Sequence, residues 1–446
     1  MKRHSVALVG LMAGCSLISG CGVGLMTAVS SGASGVVMDG VGLNGSIHGG
    51  QQPVAGATIQ LYAAGTGGYG AASTPLLTSR VVSGADGGFT FGGSYVCPDA
   101  ATPVYLVASG GNPGMASGTN NGGLMLMAAI GPCGQVGPST FINVNELTTV
   151  ASVWALAPFM ATGSRVGTAA GNAQGLTNAF ATAGKLVNVA SGTVSGPALP
   201  AGATVPAAEL NSLANVLAAC VNSAGGVAGD GTPCGTLFSA ATVSGSNAPL
   251  NTIEAALSIA KHPGANVQTL YSLVSPKAPF QPSLASKPSD WTVSISYSAV
   301  GLKSPKAATV DSNGTVWVAN SASNSVTAIQ ASGVPLPGSP FSGGGINMPQ
   351  AIAFDASGNV WIANQANSSV TKLSATGVPA PGSPFTGGGL SQPSGISVDA
   401  SGNAWVSNAG NSSVTVLAPN GAAMSPARGF VGGGMSQPVA LAVSQH

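Results

Sequence analysis

The chain has 446 residues, of which 44% are hydrophobic and 5% are charged, and 67 are glycine. This length predicts two or three domains, and the hydrophobic share excludes a disordered chain, which combines low hydrophobicity with high net charge. Apart from Lys2 and Arg3, ten basic and eleven acidic side chains are spread along the chain without a basic patch, so nucleic acid is excluded as a partner.

The first twenty residues have the pattern of an export signal. Lys2 and Arg3 make the start positive, and the apolar stretch after them is shorter than the roughly 20 residues that span a bilayer. The pattern predicts a signal peptide over residues 1–20 that is removed from the mature protein.

A cysteine follows this signal directly. The run Ile18, Ser19 and Gly20 before Cys21 resembles the bacterial lipobox. The resemblance implies cleavage before Cys21, lipidation of its thiol and a membrane partner reached through the acyl chains. Two alternatives stay open: a shorter lipobox ending at Cys15, and ordinary secretion with cleavage elsewhere.

Residues 21–41 are rich in glycine, serine and valine, and they predict a flexible tether. Gly22 stands where an aspartate would favour the inner membrane. In the Gram-negative lipoproteins that this start resembles, that difference implies the outer membrane. We therefore expect a cell-envelope protein that faces the periplasm or the cell surface.

From Gly42 the pattern changes to short alternating stretches, GLNGSIHGG, PVAGATIQLYAAG, FTFGG and PVYLVASGG, separated by glycine-rich turns. Alternation with a period of two predicts antiparallel strands. Residues 53–65, followed by Asp86, Gly87 and Phe89, resemble the carboxypeptidase regulatory-like domain. The resemblance implies a transthyretin-like β-sandwich over residues 42–142 with no catalytic residues and a spacer or adhesion role.

Apolar residues at spacings of three and four predict five helices, which form a small helical domain over residues 143–275. The first begins after Asn145, a favourable N-cap, and ends at Pro158. The third begins at Pro206 and ends before Gly225.

Three glutamates in this region are candidates for a catalytic acid: Glu146, Glu209 and Glu254. Each lies near a predicted helix start, where the helix dipole stabilises a carboxylate. The sequence therefore favours a structural role for all three, and we expect no catalytic residue.

Four cysteines follow Cys21, namely Cys97, Cys133, Cys220 and Cys234. An even number in an exported protein predicts disulfides. Of the three connectivities, Cys97 with Cys133 and Cys220 with Cys234 is favoured, because each pair lies within one predicted domain. We expect no metal or other cofactor, since zinc sites need closer ligand spacing and usually histidine, and the four histidines are scattered.

Residues 276–290 are rich in proline and predict a stiff, extended linker at a domain boundary. Residues 291–446 then repeat with a period of 44. The recurring positions are Asp311, Asp355 and Asp399; Trp317, Trp361 and Trp405; Asn320, Asn364 and Asn408; and Tyr297, Phe341 and Phe385, with Phe430 displaced by one residue. A period of roughly 40–50 with four short β runs per unit predicts four-stranded β-propeller blades.

The repeated residues have predicted roles. The aspartates accept hydrogen bonds within their own turns, Gly358 takes a backbone conformation that other residues resist, and the tryptophans pack between blades. Two interpretations of Asn320, Asn364 and Asn408 stay open. Either they offer neutral groups to a glycan or peptide ligand, or they complete turns.

These units resemble NHL-type and streptogramin-lyase-like repeats, in PQAIAFD with GNVWIAN and PSGISVD with GNAWVSN. The resemblance implies the propeller fold. Streptogramin lyases use a histidine, acidic groups and magnesium, and gluconolactonase-like propellers hold a metal with Glu, Asp and Asn. This chain departs from both patterns, because no glutamate follows Glu254 and no histidine lies between His262 and His446.

The expected architecture is multidomain and mainly β with a helical middle: a β-sandwich, a small helical bundle and an incomplete propeller. Three units and the strand PVALAV at 438–443 give about three blades, whereas propellers usually have four to eight. A homodimer completing the ring, a helical domain covering an edge, or a shortened relative of a longer protein would each explain this, and the last is favoured. The expected function is a non-enzymatic binding or scaffold module. The alternatives are a lyase or lactonase and a structural surface protein.

Overall fold

The computed structural model describes residues 36–38, 42–297 and 301–443. The predicted signal peptide and Cys21 lie outside the described residues. The strands of the first part are β1 (Val36–Met38), β2 (Leu43–Gly49), β3 (Gln52–Pro53), β4 (Thr58–Ala63), β5 (Thr74–Pro75), β6 (Val81–Val82), β7 (Gly88–Phe91), β8 (Tyr95–Cys97), β9 (Pro103–Ser109), β10 (Met125–Pro132) and β11 (Phe141–Val144). β1 falls in the predicted tether and pairs antiparallel with β8, so this piece of the segment has regular structure.

Two sheets face each other in this first part. One has the order β10-β9-β4-β5, with β6 also paired to β4, and the other has the order β11-β2-β3, with β7 also paired to β2. Residues that alternate along the strands fill the space between the sheets, among them Ile47, Leu61, Leu106 and Ile142, all fully buried. This is the β-sandwich that period-two alternation predicts.

The second part is mainly helical. Its elements are α1 (Glu146–Leu156), β12 (Met160–Thr162), β13 (Arg165–Val166), α2 (Ala173–Leu186), β14 (Val187–Asn188), β15 (Thr193–Val194), β16 (Ala203–Thr204), α3 (Ala207–Val221), α4 (Pro233–Ala241), α5 (Thr252–Lys261), α6 (Val267–Tyr271) and β17 (Ser296–Tyr297). Short 3-10 turns cover Cys133–Gln135, Ala157–Phe159 and Ala170–Asn172. None of the described helices combines the length and apolar character needed to cross a bilayer.

The predicted helix after Asn145 is confirmed as α1. The Asn145 side chain accepts a hydrogen bond from Thr148 N at 2.9 Å, and Thr148 Oγ1 accepts one from Asn145 N at 2.9 Å. This reciprocal capping box fixes the first turn, and Pro158 follows the last. The helix that sequence reasoning missed is α4, although Thr232 caps it and Pro233 occupies its first position.

The helices and the sandwich share one sheet. Tyr105 and Met127 point from β9 and β10 into the core beneath the helices, while Leu106 and Leu126 point into the sandwich core. The predicted boundary after residue 142 falls inside β11. The chain therefore forms three layers here, sheet on sheet on helices, because both faces of β9 and β10 are apolar.

The segment predicted as a linker lies against α3. Asn215 Nδ2 donates to the Phe280 carbonyl at 2.8 Å and its Oδ1 accepts from Phe280 N at 3.1 Å. Trp291, predicted at the start of the repeats, is fully buried in the helical core, where its carbonyl accepts a hydrogen bond from Trp154 Nε1. Residues 276–290, here called the strap, thus differ from the free spacer that their composition predicts, because α3 offers buried amides to their backbone.

Both cysteine pairs are bonded as the sequence favours. Cys97 pairs with Cys133 and Cys220 pairs with Cys234, with Cα–Cα distances of 6.0 and 4.2 Å. The first disulfide joins β8 to the turn after β10, and the second joins α3 to α4. Cys220 is fully buried on α3.

The repeats form three equivalent three-stranded sheets. Blade 1 contains β18 (Pro305–Val310), β19 (Val316–Asn320) and β20 (Ser325–Ile329); blade 2 contains β21 (Pro349–Phe354), β22 (Val360–Asn364) and β23 (Ser369–Leu373); blade 3 contains β24 (Pro393–Val398), β25 (Ala404–Asn408) and β26 (Ser413–Leu417). A fourth strand per blade was predicted. The outer segment instead contacts the third strand through isolated bridges, as in Leu373 with Pro379 and Val370 with Phe385. Proline and glycine interrupt this segment, so it cannot form a continuous ladder.

Consecutive blades pack face to face. Trp317 and Val326 of blade 1 share a core with Ile362 and Leu373 of blade 2. Trp361 of blade 2 contacts the equivalent core residues of blade 3. The prediction that tryptophan fills the space between blades is confirmed, and the arrangement is propeller-like.

Candidate binding surfaces

The aspartate of each blade joins a turn to the tryptophan of the next strand. In blade 2, Asp355 Oδ1 accepts from Ser357 N at 3.0 Å and from Asn359 N at 2.9 Å, and Oδ2 accepts from Trp361 Nε1 at 3.1 Å. The same contacts recur at Asp311 with Trp317 and at Asp399 with Trp405. Gly358 lies in this turn with a φ of +76°, which the glycine permits.

Blade 2 adds a cation to this arrangement. Lys372 Nζ lies 3.0 Å from Asp355 Oδ2 and 4.6 Å from the centre of the Trp361 ring, and it donates to the Pro419 carbonyl of blade 3 at 3.0 Å. Burial would raise the pKa of Asp355, but hydrogen bonds from Asn359, Lys372 and Trp361 hold it below its usual value. The aspartate is therefore an ionised partner for three structural groups.

The predicted ligand-binding asparagines are buried inside the blades. Asn320, Asn364 and Asn408 are fully buried, and the Nδ2 of each donates at 2.9 Å to a threonine hydroxyl on the neighbouring strand. The Oδ1 of Asn364 accepts from Asn347 N at 3.2 Å. The prediction that these amides contact a ligand is therefore corrected. They have a structural role, because they tie the second and third strands to the loop that enters the blade.

The three glutamates have different surroundings. Both oxygens of Glu146 accept from Gly50 N, at 3.0 and 2.9 Å, and burial raises the pKa of this carboxyl to about 7. Burial also raises the pKa of Glu209 to about 7, with a further contribution from the charge of Asp290. Glu254 Oε2 accepts from Leu250 N at the start of α5. Among the described residues, no group of three or more His, Cys, Asp or Glu side chains is arranged to hold a metal ion.

Aromatic side chains lock one blade onto the next. Phe341 packs against Gly377 of the following blade, and Phe385 packs against Gly421, so tightly that a Cβ at either glycine would overlap the ring. The next aromatic in the series is Phe430. Its ring is 46% exposed, whereas Phe385 is 8% exposed, because the described residues place no further blade against it.

A cleft lies outside the repeats, between the sandwich and the helical part of the chain. It has a volume of about 450 Å³ and is bounded by the β2–β3 hairpin, the start of α1, the β14–β15 turn, α3 and the strap. Its side chains come from five separate segments of the chain, so no local sequence motif predicted the cleft. Residues 48–51 and 191–194 supply much of its rim.

Comparison with known proteins adds similarity of fold alone. The chain matches no family model, and no curated protein matches it. Among solved structures, virginiamycin B lyase from Staphylococcus aureus is similar over 30% of this chain and 44% of its own length, at 17% identity and a TM-score of 0.25. Hydrazine synthase from Kuenenia stuttgartiensis is similar over 27% of this chain and 34% of its own length, at 20% identity and a TM-score of 0.23. The WD40 domain of Pan2 from Neurospora crassa is similar over 26% of this chain and 32% of its own length, at 19% identity and a TM-score of 0.20.

The chain spans less than half the length of each of these structures. At such scores no activity carries over. The description of the repeats as propeller-like blades rests on their own sheet order, bridges and packing.

Proposed function

We propose that this protein is a non-enzymatic binding or scaffold module of the cell envelope, held by a lipid on Cys21, and that it binds a protein partner through the exposed apolar face beyond its third described blade. The observation that carries the proposal is the exposure of Phe430, Met435 and Val439, here called the open face. In the preceding blades the residues equivalent to Phe430 and Met435 are covered by the next blade.

The exposure is graded along the repeats as this proposal requires. Ile346 after blade 1 is 6% exposed, Leu390 after blade 2 is partly buried, and Met435 after blade 3 is 37% exposed. Trp405 is likewise partly exposed, whereas Trp317 and Trp361 are fully buried. An apolar surface of this kind is typical of protein interaction sites.

The segment predicted as a further strand, residues 438–443, lies at the open face but does not form a strand in the structure. Gln437 N donates to Ser412 Oγ at 3.1 Å, as Gln392 N does to Ser368 Oγ one repeat earlier. Ser394 Oγ donates to the Pro438 carbonyl at 2.6 Å. Residues 438–443 thus lie where the first strand of another blade would begin, and Val439 is 74% exposed.

The partner that we propose is a second copy of the chain. Residues 429–443 contain no charged side chain, so two such surfaces meet without repulsion between like charges. At the opposite end of the array, Tyr297 already lies against Gly333. This favours contact between two open faces over insertion of Phe430 at the partner's first blade.

Light scattering on the purified chain tests self-association. We expect a dimer mass at micromolar concentration, and a monomer when Phe430→Asp and Met435→Asp are combined. Val378→Asp is the matched control, because Val378 is 61% exposed in blade 2 but lies off the open face. A monomer at all concentrations in the unaltered chain would overturn the homodimer.

Anchoring and catalysis have separate tests. Replacement of Cys21 by serine is expected to release the protein from the membrane fraction, and retention there would place the anchor elsewhere. A lyase or lactonase would need a metal, so stoichiometric calcium or magnesium that is lost on replacing Asp355 and Asp399 together by asparagine would overturn the non-enzymatic assignment.

A further inference from the structure

The cleft combines a buried floor with an exposed rim. Asn145, Leu147 and Asn211 form part of the floor and are each less than a tenth exposed, whereas Gln51 and Thr193 on the rim are exposed. Its volume of about 450 Å³ falls within the roughly 300–1,000 Å³ of small-ligand sites. Its volume is therefore that of a site for a small ligand.

The lining of the cleft carries no Asp, Glu, Lys or Arg side chain. His48 is its one titratable residue. Burial lowers the pKa of this imidazole, and the nearby negative charge of Asp86 raises it by a smaller amount. Glu146 lies behind the hairpin, bonded to Gly50 N, and does not line the cleft. At neutral pH the surface thus offers only uncharged donors and acceptors.

The polar groups of the cleft are fixed in position before any ligand binds. Asn145 Nδ2 donates to the Gly192 carbonyl at 2.9 Å, and Asn211 Nδ2 donates to the Pro282 carbonyl at 2.9 Å. Gly192 has a φ of +68°, and a Cβ there would come within 2.6 Å of Asn145 Nδ2, so the turn requires glycine to approach so closely. On the rim, the Ser191 and Thr193 hydroxyls lie 2.7 Å apart and share one hydrogen bond.

We propose that this cleft binds a neutral carbohydrate. A sugar ring presents hydroxyl groups around its edge and C–H groups on its faces, and the cleft presents amides and hydroxyls beside the apolar surfaces of Leu147, Val194 and Pro279. A charged ligand would lose hydration here without gaining a counter-charge. Because the polar side chains are held by backbone carbonyls, little side-chain entropy is lost when the sugar binds.

The test is calorimetric titration of the full chain with three neutral oligosaccharides (maltotetraose, cellotetraose and chitotetraose), with an acidic uronic-acid tetrasaccharide, and with a tetrapeptide blocked at both ends. We expect saturable binding of at least one neutral oligosaccharide and none of the acidic one. Gln51→Trp should fill the mouth of the cleft and weaken binding at least tenfold. Gln174→Trp, an exposed glutamine on α2 outside the cleft, is the matched control.

Thr193→Val keeps the side-chain shape, removes one rim hydroxyl and is expected to weaken binding about fivefold, the size of one hydrogen bond. Three results would overturn the proposal: no binding of any neutral oligosaccharide, equal binding by the Gln51→Trp and Gln174→Trp variants, or cleft-dependent binding of the blocked peptide instead. None of these results depends on the oligomeric state, so the proposals for the cleft and for the open face are tested independently.

Discussion

The indole Nε1 of Trp361 donates to Oδ2 of Asp355 at 3.1 Å, and this bond connects the turn between the first two strands of a blade to the core between two blades. The same pair occurs in all three described blades. The blades differ in how the tryptophan is covered: Trp317 and Trp361 are fully buried against the next blade, and Trp405 is partly exposed.

Replacement of Trp361 by phenylalanine should lower the free energy of unfolding by about 2 kcal/mol, because it removes one hydrogen bond to the Asp355 carboxylate and leaves a gap between blades. The same change at Trp405 should lower the free energy of unfolding by a smaller amount, since Trp405 is partly exposed and no described blade packs against the outer face of blade 3. Urea unfolding followed by circular dichroism measures both. Equal losses would show that packing between blades does not distinguish the two positions.

Replacement of Asn364 by alanine should destabilise the protein by about 1–3 kcal/mol, since it removes the amide that donates to the buried Thr371 hydroxyl and leaves Asn347 N without its acceptor. Asn367→Ala is the control, because Asn367 also makes two side-chain bonds, donating to the Gly345 carbonyl and accepting from Ser369 Oγ, but its side chain is exposed to water. If Asn364→Ala unfolds at the same urea concentration as the unaltered chain, the structural role assigned to this residue is wrong.

The buried carboxyl of Glu146 should make stability depend on pH. Its pKa is raised from 4.5 to about 7, so the unfolded chain releases this proton first and the folded state loses stability as pH rises from about 4.5 to 7. Glu146→Gln removes that dependence. The stability of the variant relative to the unaltered chain should therefore increase by about 3 kcal/mol between pH 4 and pH 8.

The comparison with the variant isolates this carboxyl from His48 and Glu209, whose pKa values are also shifted. Urea midpoints at several pH values supply the measurement. A constant difference between the two proteins across this range would mean that Glu146 ionises as freely in the folded state as in the unfolded one.

The two disulfides should contribute unequally. Replacing Cys220 and Cys234 by serine should lower the free energy of unfolding by about 3 kcal/mol, and replacing Cys97 and Cys133 should lower it by about 4 kcal/mol. The difference is expected because the bond between Cys97 and Cys133 closes the longer loop in the unfolded chain. Non-reducing urea unfolding of both double variants tests this order. A reductant that leaves the midpoint of the unaltered chain unchanged would contradict both values.

Local signals were sufficient for most of the helices and for the repeats. Asn145 before an apolar run fixed the start of α1, because an N-cap acts through residues three positions away. The 44-residue recurrence likewise fixed the equivalence of the blades, since equal spacing of Asp, Trp and Asn demands equal turns and strands. α4 was missed although its cap, Thr232 with Pro233, was present.

What the sequence by itself determined is therefore most of the helices and the presence of repeated sheets, which depend on neighbours within one segment or one period, and it favoured one pairing of the cysteines without fixing it. Only the tertiary structure decided that Asn364 is enclosed, that residues 276–290 are bound to α3, and that His48, Asn145, Thr193 and Asn211 meet in one cleft. The physical reason is that burial and cavity shape depend on side chains far apart along the chain. Neither periodicity nor capping carries information about those distances.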